Sequence, residues 1–241
     1  MKHLWLVLYI FILGCASVSD TKPTQARLSD LTEDDKHLIL GMQLLQEGDP
    51  EAAITSYIDP VIAGCGALYN SSEEKFYSSR GMTETLYYLL KAAADDKSSK
   101  VVGQTCAEAL YLKGYASLEL GDVIEAEKWV RRALEMSPVN ARYLSELGFL
   151  YQGRKDWEKA LEIYRDAEEY AKTYSPESTK TLELGRAMRG VGYSLIEMGR
   201  LDDAEEKFRE CLQLNKNDKA AQYELEYIEM LRSRRKGVID I

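Results

Sequence analysis

Two stretches of this chain align with each other at a period of 34 residues without a gap, and a period of that length narrows the fold more than any other feature. Ala107 to Asn140 reads AEALYLKGYASLELGDVIEAEKWVRRALEMSPVN, and Ala141 onward reads ARYLSELGFLYQGRKDWEKALEIYRDAEEYA. The small residues fall in register: Gly114 with Gly148, Ala126 with Ala160, Ala133 with Ala167. A third copy starts near Gly185, with Gly192, Gly199, Ala204 and Phe208 at the same offsets and Cys211 where the others have alanine. A fourth, near Asp35, offers Gly41, Gly48-Asp49, Ala53 and Tyr57. Proline occurs only five times, and β-branched residues never alternate over a strand-length run. An all-α chain of helical hairpins without strands is therefore expected.

This pattern resembles the tetratricopeptide repeat (TPR) family, whose helix-turn-helix units carry a small residue in the middle of the first helix and alanines in the second. The physical reason is close packing, since a helix can approach another only where no side chain stands between them. Gly121-Asp122 and Gly199-Arg200 mark the turns within units, and Pro138 closes one, because the residue before a proline is pushed out of the helical region. The resemblance implies a helical-hairpin solenoid: a first unit over 33–65, further units over 107–140, 141–176 and 185–218, and a capping helix with tail over 219–241. Gly41 and Gly114 are 73 residues apart, well over one period, so 66–100 is an insertion or degenerate unit with a helix expected around Glu84 to Ala94 and a turn at Asp95-Asp96-Lys97-Ser98. Gly148 and Gly192 are 44 apart, so the second helix of the middle unit should run past Ala167 until Ser175-Pro176 breaks it.

The N-terminus reads Met1-Lys2-His3, then ten apolar residues from Leu4 to Leu13, then Gly14-Cys15-Ala16-Ser17. Ten residues span only about 15 Å as a helix, roughly half a bilayer core, so the order reads as a secretory signal rather than a membrane span. Ile12-Leu13-Gly14-Cys15 resembles the bacterial lipobox, which implies a signal peptide over 1–14, cleavage before Cys15, and lipid on its thiol and new amino terminus. Residues 15–32 then read as a polar tether. The resemblance places the protein in a bacterial cell envelope, lipid-anchored on the periplasmic side, and at the outer membrane if the host has one.

The 40 acidic and 31 basic residues give a net charge of −9, which disfavours nucleic acid as a partner. The basic cluster Arg232, Arg234, Arg235 and Lys236 closes a C-terminal helix, where cations complement the helix dipole. The mature chain would hold one histidine, His37, and no cysteine or serine in a nucleophile motif, so no catalytic residue, cofactor or metal site is expected and the chain is read as a non-enzyme. Cys65, Cys106 and Cys211 remain beyond Cys15. In an oxidising compartment a Cys65–Cys106 bridge is conceivable, though connectivity does not follow from sequence, and Cys211 fills an alanine slot that suits a small buried side chain.

In this family the first helices of successive units line a concave groove. The register aims Tyr111, Tyr115, Arg142, Phe149, Arg186, Arg189 and Tyr193 there, and aromatic and arginine side chains dominate interface energies. Packing between helices is the competing role for Tyr115, Phe149 and Tyr193. Repeats that clamp chaperone C-termini carry lysines and asparagines along the groove, so that partner is not implied. The expected function is a membrane-anchored scaffold or adaptor that holds a peptide segment or domain of another envelope protein, the arginines favouring a partner with carboxylate groups. The alternative is a small-molecule or glycan binding protein that uses the insertion, with Tyr69, Phe76, Tyr77, Tyr87 and Tyr88 as its aromatic surface.

Overall fold

The computed structural model describes residues 31–69, 74–94 and 98–239, and, within these, leaves the side chains of 68 and 235–239 undescribed. The signal, Cys15 and most of the tether lie outside the described residues, as do Asp95-Asp96-Lys97 of the expected turn. The chain is an all-α array of helical hairpins with one small interruption. Helix α1 spans Glu33–Glu47 and starts at a capping box: Thr32 Oγ1 accepts from Asp35 N at 3.1 Å, and Asp35 accepts from Thr32 N at 3.2 Å. Gly48, at φ 83°, ends it. Helix α2 (Pro50–Ala53) runs through a π turn at Ile54–Ile58 into α3 (Asp59–Tyr69). The wider turn falls directly before Pro60, whose ring cannot donate a hydrogen bond and crowds the carbonyl of a regular preceding turn.

The main array is α5 (Thr105–Glu119) with α6 (Val123–Met136), α7 (Ala141–Gly153) with α8 (Trp157–Tyr174), and α9 (Glu177–Glu197) with α10 (Leu201–Leu214), closed by α11 (Lys219–Ile239). The α8 helix stops at Ser175, and α9 begins eight residues before Gly185, so the extra length in this part of the chain is shared between two long helices. Each hairpin turn places one residue in the left-handed region: Gly121 at φ 81°, Lys155 at 61° and Gly199 at 75°. Asp122 and Asp156 cap the helices that follow by accepting from Glu125 N and Lys159 N.

The core is a seam in which a large side chain of each second helix fills the space over a first-helix glycine. A Cβ on Gly114 would meet Val130 at 2.8 Å, and one on Gly192 would meet Phe208 at 2.6 Å. Tyr164, at the same register position, lies against both Gly148 and Gly190, where an added Cβ would come within 2.8 and 2.2 Å of its ring. Ala126, Ala133, Ala160, Ala167 and Ala204 are fully or almost fully buried along this seam. Cys211 is buried as the alanine slot requires, and burial pushes its thiol up to about 12.

The strand-free expectation fails in the insertion. Residues Lys75–Ser78 form β1 and Ser99–Val102 form β2, a parallel pair with Lys75 opposite Ser99 and Ser78 opposite Val102, joined through α4 (Met82–Ala94). Four residues per strand are too few to show an alternating pattern, and a parallel pair requires the crossover helix that the periodicity did predict. The unit is tied to the array by Ser137 Oγ, which donates to the Ser78 carbonyl at 2.6 Å, and by a small core of Tyr77, Tyr88, Ala92 and Val139.

Candidate partner-binding groove

The first helices α5, α7 and α9 are linked across units by side-chain bonds, and the groove residues expected from the register fall into three groups. Tyr115, Phe149 and Tyr193, one per helix, are half-buried. Tyr111 is buried and stacks on Tyr143, with ring centroids 4.7 Å apart and planes 17° apart, so it belongs to the packing rather than to an open surface.

The three arginines are each bound within the chain. Arg142 pairs with Glu108 of α5 and lays its guanidinium 4.4 Å from the centre of the Tyr111 ring. Arg186 donates to Glu146 of α7 at 2.7 Å, and Arg189 to Asp218, just before α11, at 2.6 Å. The hydroxyl of Tyr143 donates to Glu108 at 3.0 Å, and that of Tyr111 to Glu146 at 3.3 Å. Together these bonds form a ladder that crosses from unit to unit. Burial alone would lower the pKa of Arg142 and of Arg186; the Glu108 and Glu146 carboxylates more than reverse this, and both values are raised. The expected role of these arginines, as open cations for a partner's carboxylate, is thus corrected: their side chains keep 33%, 31% and 20% of their exposure, but their charge is already met. Glu108, Glu146, Asp218 and Tyr143, which complete the ladder, were not singled out from sequence. The pair Glu108 and Arg142 could have been found, because the two stand one 34-residue period apart at the same register position.

A second clamp fixes the insertion. Arg80 donates to Glu84 at 2.9 and 2.7 Å and to Glu183, on the early turns of α9, at 2.5 Å; Ser175 also donates to Glu183. All three charged side chains are nearly or fully buried. Desolvation opposes the Arg80 charge, but Glu84 and then Glu183 raise its pKa.

This clamp settles which face of α4 is inside. Tyr88 and Ala92 face inward, and Tyr77 stacks on Tyr88 with centroids 5.1 Å apart. Tyr77 and Tyr88 are therefore core residues, not the exposed aromatic surface expected of them. The outward face of α4 carries Met82, Leu86, Leu89 and Leu90, between 49% and 82% exposed. Tyr69 and Phe76 pack on each other at 4.4 Å beside the Cys65–Cys106 disulfide, which joins α3 to α5. Among the described residues no group of three or more His, Cys, Asp or Glu side chains is placed to hold a metal ion, and no helix is long and apolar enough to cross a membrane.

Stacked hairpins with a glycine-alanine seam, presenting a row of first helices, define the class of helical-repeat interaction scaffolds. Models of the tetratricopeptide repeat family match residues 107–140 and 139–217, and the chain is a TPR protein. No curated protein matches it. Among solved structures it is similar to PilF of Pseudomonas aeruginosa, at 20% identity and TM-score 0.56 over 85% of this chain and 70% of that one. The first TPR domain of the human RPAP3 protein aligns at 19% identity and TM-score 0.48 over 56% of this chain and 98% of that domain. The N-terminal domain of the C. elegans stress-induced protein STI-1 aligns at 18% and 0.45 over 52% and 96%. At these identities the likeness to PilF establishes the fold alone.

Proposed function

We propose that this protein is a lipid-anchored TPR scaffold that holds another protein at a bacterial cell envelope. The observation that carries the interaction role is the outward face of α4, where four large apolar side chains stand exposed on a helix whose other face is firmly seated. Contiguous exposed apolar surface of this kind marks contact sites. The half-exposed aromatic row Tyr115, Phe149 and Tyr193 offers a second contact surface in the groove. With the arginines satisfied internally, recognition in the groove rests on apolar and aromatic contact rather than on acceptance of a carboxylate. The anchor is read from Ile12-Leu13-Gly14-Cys15, and the Cys65–Cys106 bridge supports export, since disulfides persist in oxidising compartments.

Two variants test the two halves of this reading in the native host. Cys15→Ser should move the protein out of the membrane fraction; unchanged membrane partition would refute the lipid anchor. Leu86→Lys with Leu90→Lys should abolish capture of a membrane-derived partner by cross-linking while helix content stays the same, with Tyr115→Ala and Phe149→Ala as the groove arm. A partner retained by both sets would exclude both surfaces. A small-ligand role for the insertion keeps one observation in its favour, a cavity beside Tyr69 and Phe76.

A further inference from the structure

That cavity opens between α3, β1, α5 and α6, has a volume of about 290 Å³ and lies outside the groove. Its wall is apolar: Ile62, Tyr69, Phe76, Leu110 and Met136 surround the Cys65–Cys106 bridge. This is close to the lower end of small-molecule sites, roughly 300 Å³. The charges on its lining come from separate elements, Lys75 from β1 and Arg132 and Glu135 from α6. Two cations against one carboxylate leave the site net positive.

The two cations are also held in an unusual way for this protein. Arg131, the neighbour of Arg132, is tied to Glu127, as Arg142, Arg186 and Arg189 are tied to their own carboxylates. No described carboxylate lies within ion-pair distance of Lys75 or Arg132. Lys75 instead stands over the Tyr77 ring at 4.8 Å and Arg132 over Trp129 at 4.7 Å. Aromatic faces hold a cation in place without neutralising it, so both retain the capacity for a full charge-assisted hydrogen bond.

We propose that this cavity binds a small amphipathic carboxylate, with its apolar body against Tyr69, Phe76, Leu110 and Met136 and its carboxylate at Lys75 and Arg132. The inference deepens the small-ligand reading of the insertion and is independent of the scaffold role. It also replaces a glycan with a different chemistry, because a largely apolar wall offers few partners for the many hydroxyls of a sugar. The ligand would touch the first unit through α3, the insertion through β1 and the array through α5 and α6, three parts of the chain that meet beside the disulfide. The disulfide holds the α3 and α5 walls together.

The test is calorimetric titration of the full-length protein with 3-phenylpropionate and, in parallel, 3-phenylpropan-1-ol, which has the same body and no charge. The acid should bind saturably and at least about tenfold more tightly than the alcohol, and Lys75→Gln with Arg132→Gln should bring the two level at unchanged melting temperature. A short peptide ending in phenylalanine, compared with its C-terminal amide, separates the two sources of the same chemistry: tighter binding of the free-acid peptide than of 3-phenylpropionate assigns the site to a chain end, and the reverse assigns it to a free carboxylate. Absence of saturable binding by every acid probe, equal affinity for acid and alcohol, or full retention by the double variant overturns the proposal. The Leu86→Lys and Leu90→Lys variant should bind 3-phenylpropionate as the parent does, so failure here and failure of the scaffold reading stay distinguishable.

Discussion

Tyr164 is held between two glycines, one on its own unit's first helix and one on the next. Gly190 is the tighter of the two, and an alanine there must displace a ring that has no free space to move into. Gly190→Ala should lower unfolding free energy by about 2–3 kcal/mol in urea titrations, whereas Gly153→Ala, where an added Cβ meets nothing within 4 Å, should be neutral or stabilising by up to about 1 kcal/mol. Equal effects at the two sites would show that the seam is looser than described. Glu224 of α11 gives a second residue-scale expectation. Burial first, and then the charge of Glu197, raise its pKa from 4.5 to about 7. A raised folded-state value contributes stability that is fully present below pH 4.5 and is lost as pH rises through 7. Glu224→Gln removes that loss, so its stability relative to the parent should rise by about 3 kcal/mol between pH 4.5 and 8 in thermal melts at stepped pH. A difference that does not vary with pH would contradict the assignment.

The ladder of Glu108, Arg142, Tyr111, Glu146 and Arg186 acts between elements rather than within them. Arg142→Ala should cost about 3 kcal/mol by leaving Glu108 inside the structure without its partner, and Glu108→Gln with Arg142→Met should recover much of it; additive losses in the double-mutant cycle would refute the coupling. A charge reversal at the same arginines would loosen the array and could not report on binding. How far the elements were legible follows from the same geometry. The hairpins, their turns and the long α8 and α9 could be read because close packing allows only glycine or alanine at fixed offsets, and that restriction leaves a mark in the sequence. The ladder was half legible: the 34-residue offset puts Glu108 and Arg142 at one register position, whereas Glu146 and Arg186 stand 40 residues apart and share no register position. β1 and β2 left no mark, since four residues cannot display a period of two and their pairing is between segments 24 residues apart.

Across the whole molecule, the repeated part was readable in detail and the unique part only in its helix, because only repetition lets one segment serve as evidence for another. The α4 helix has apolar residues on two faces, Tyr88 and Ala92 on one and Leu86, Leu89 and Leu90 on the other, so its pattern alone cannot say which is inside. The structure decides through Arg80, whose bonds to Glu84 and Glu183 set the helix on its tyrosine side. The Cys65–Cys106 bridge spans 41 residues of sequence, and losing it through Cys65→Ser and Cys106→Ser should cost up to about 4 kcal/mol in chemical denaturation.

That bridge also changes what a cut in the chain means. Every peptide bond from residue 65 to residue 106 lies inside a covalently closed ring, so a protease that nicks the insertion once would leave a protein of unchanged mass, plus one water, with its first unit still fastened to the array. Two fragments would separate on a gel only after a thiol reductant opened the ring. In an oxidising compartment the scaffold could therefore be cleaved between its two parts and remain one molecule.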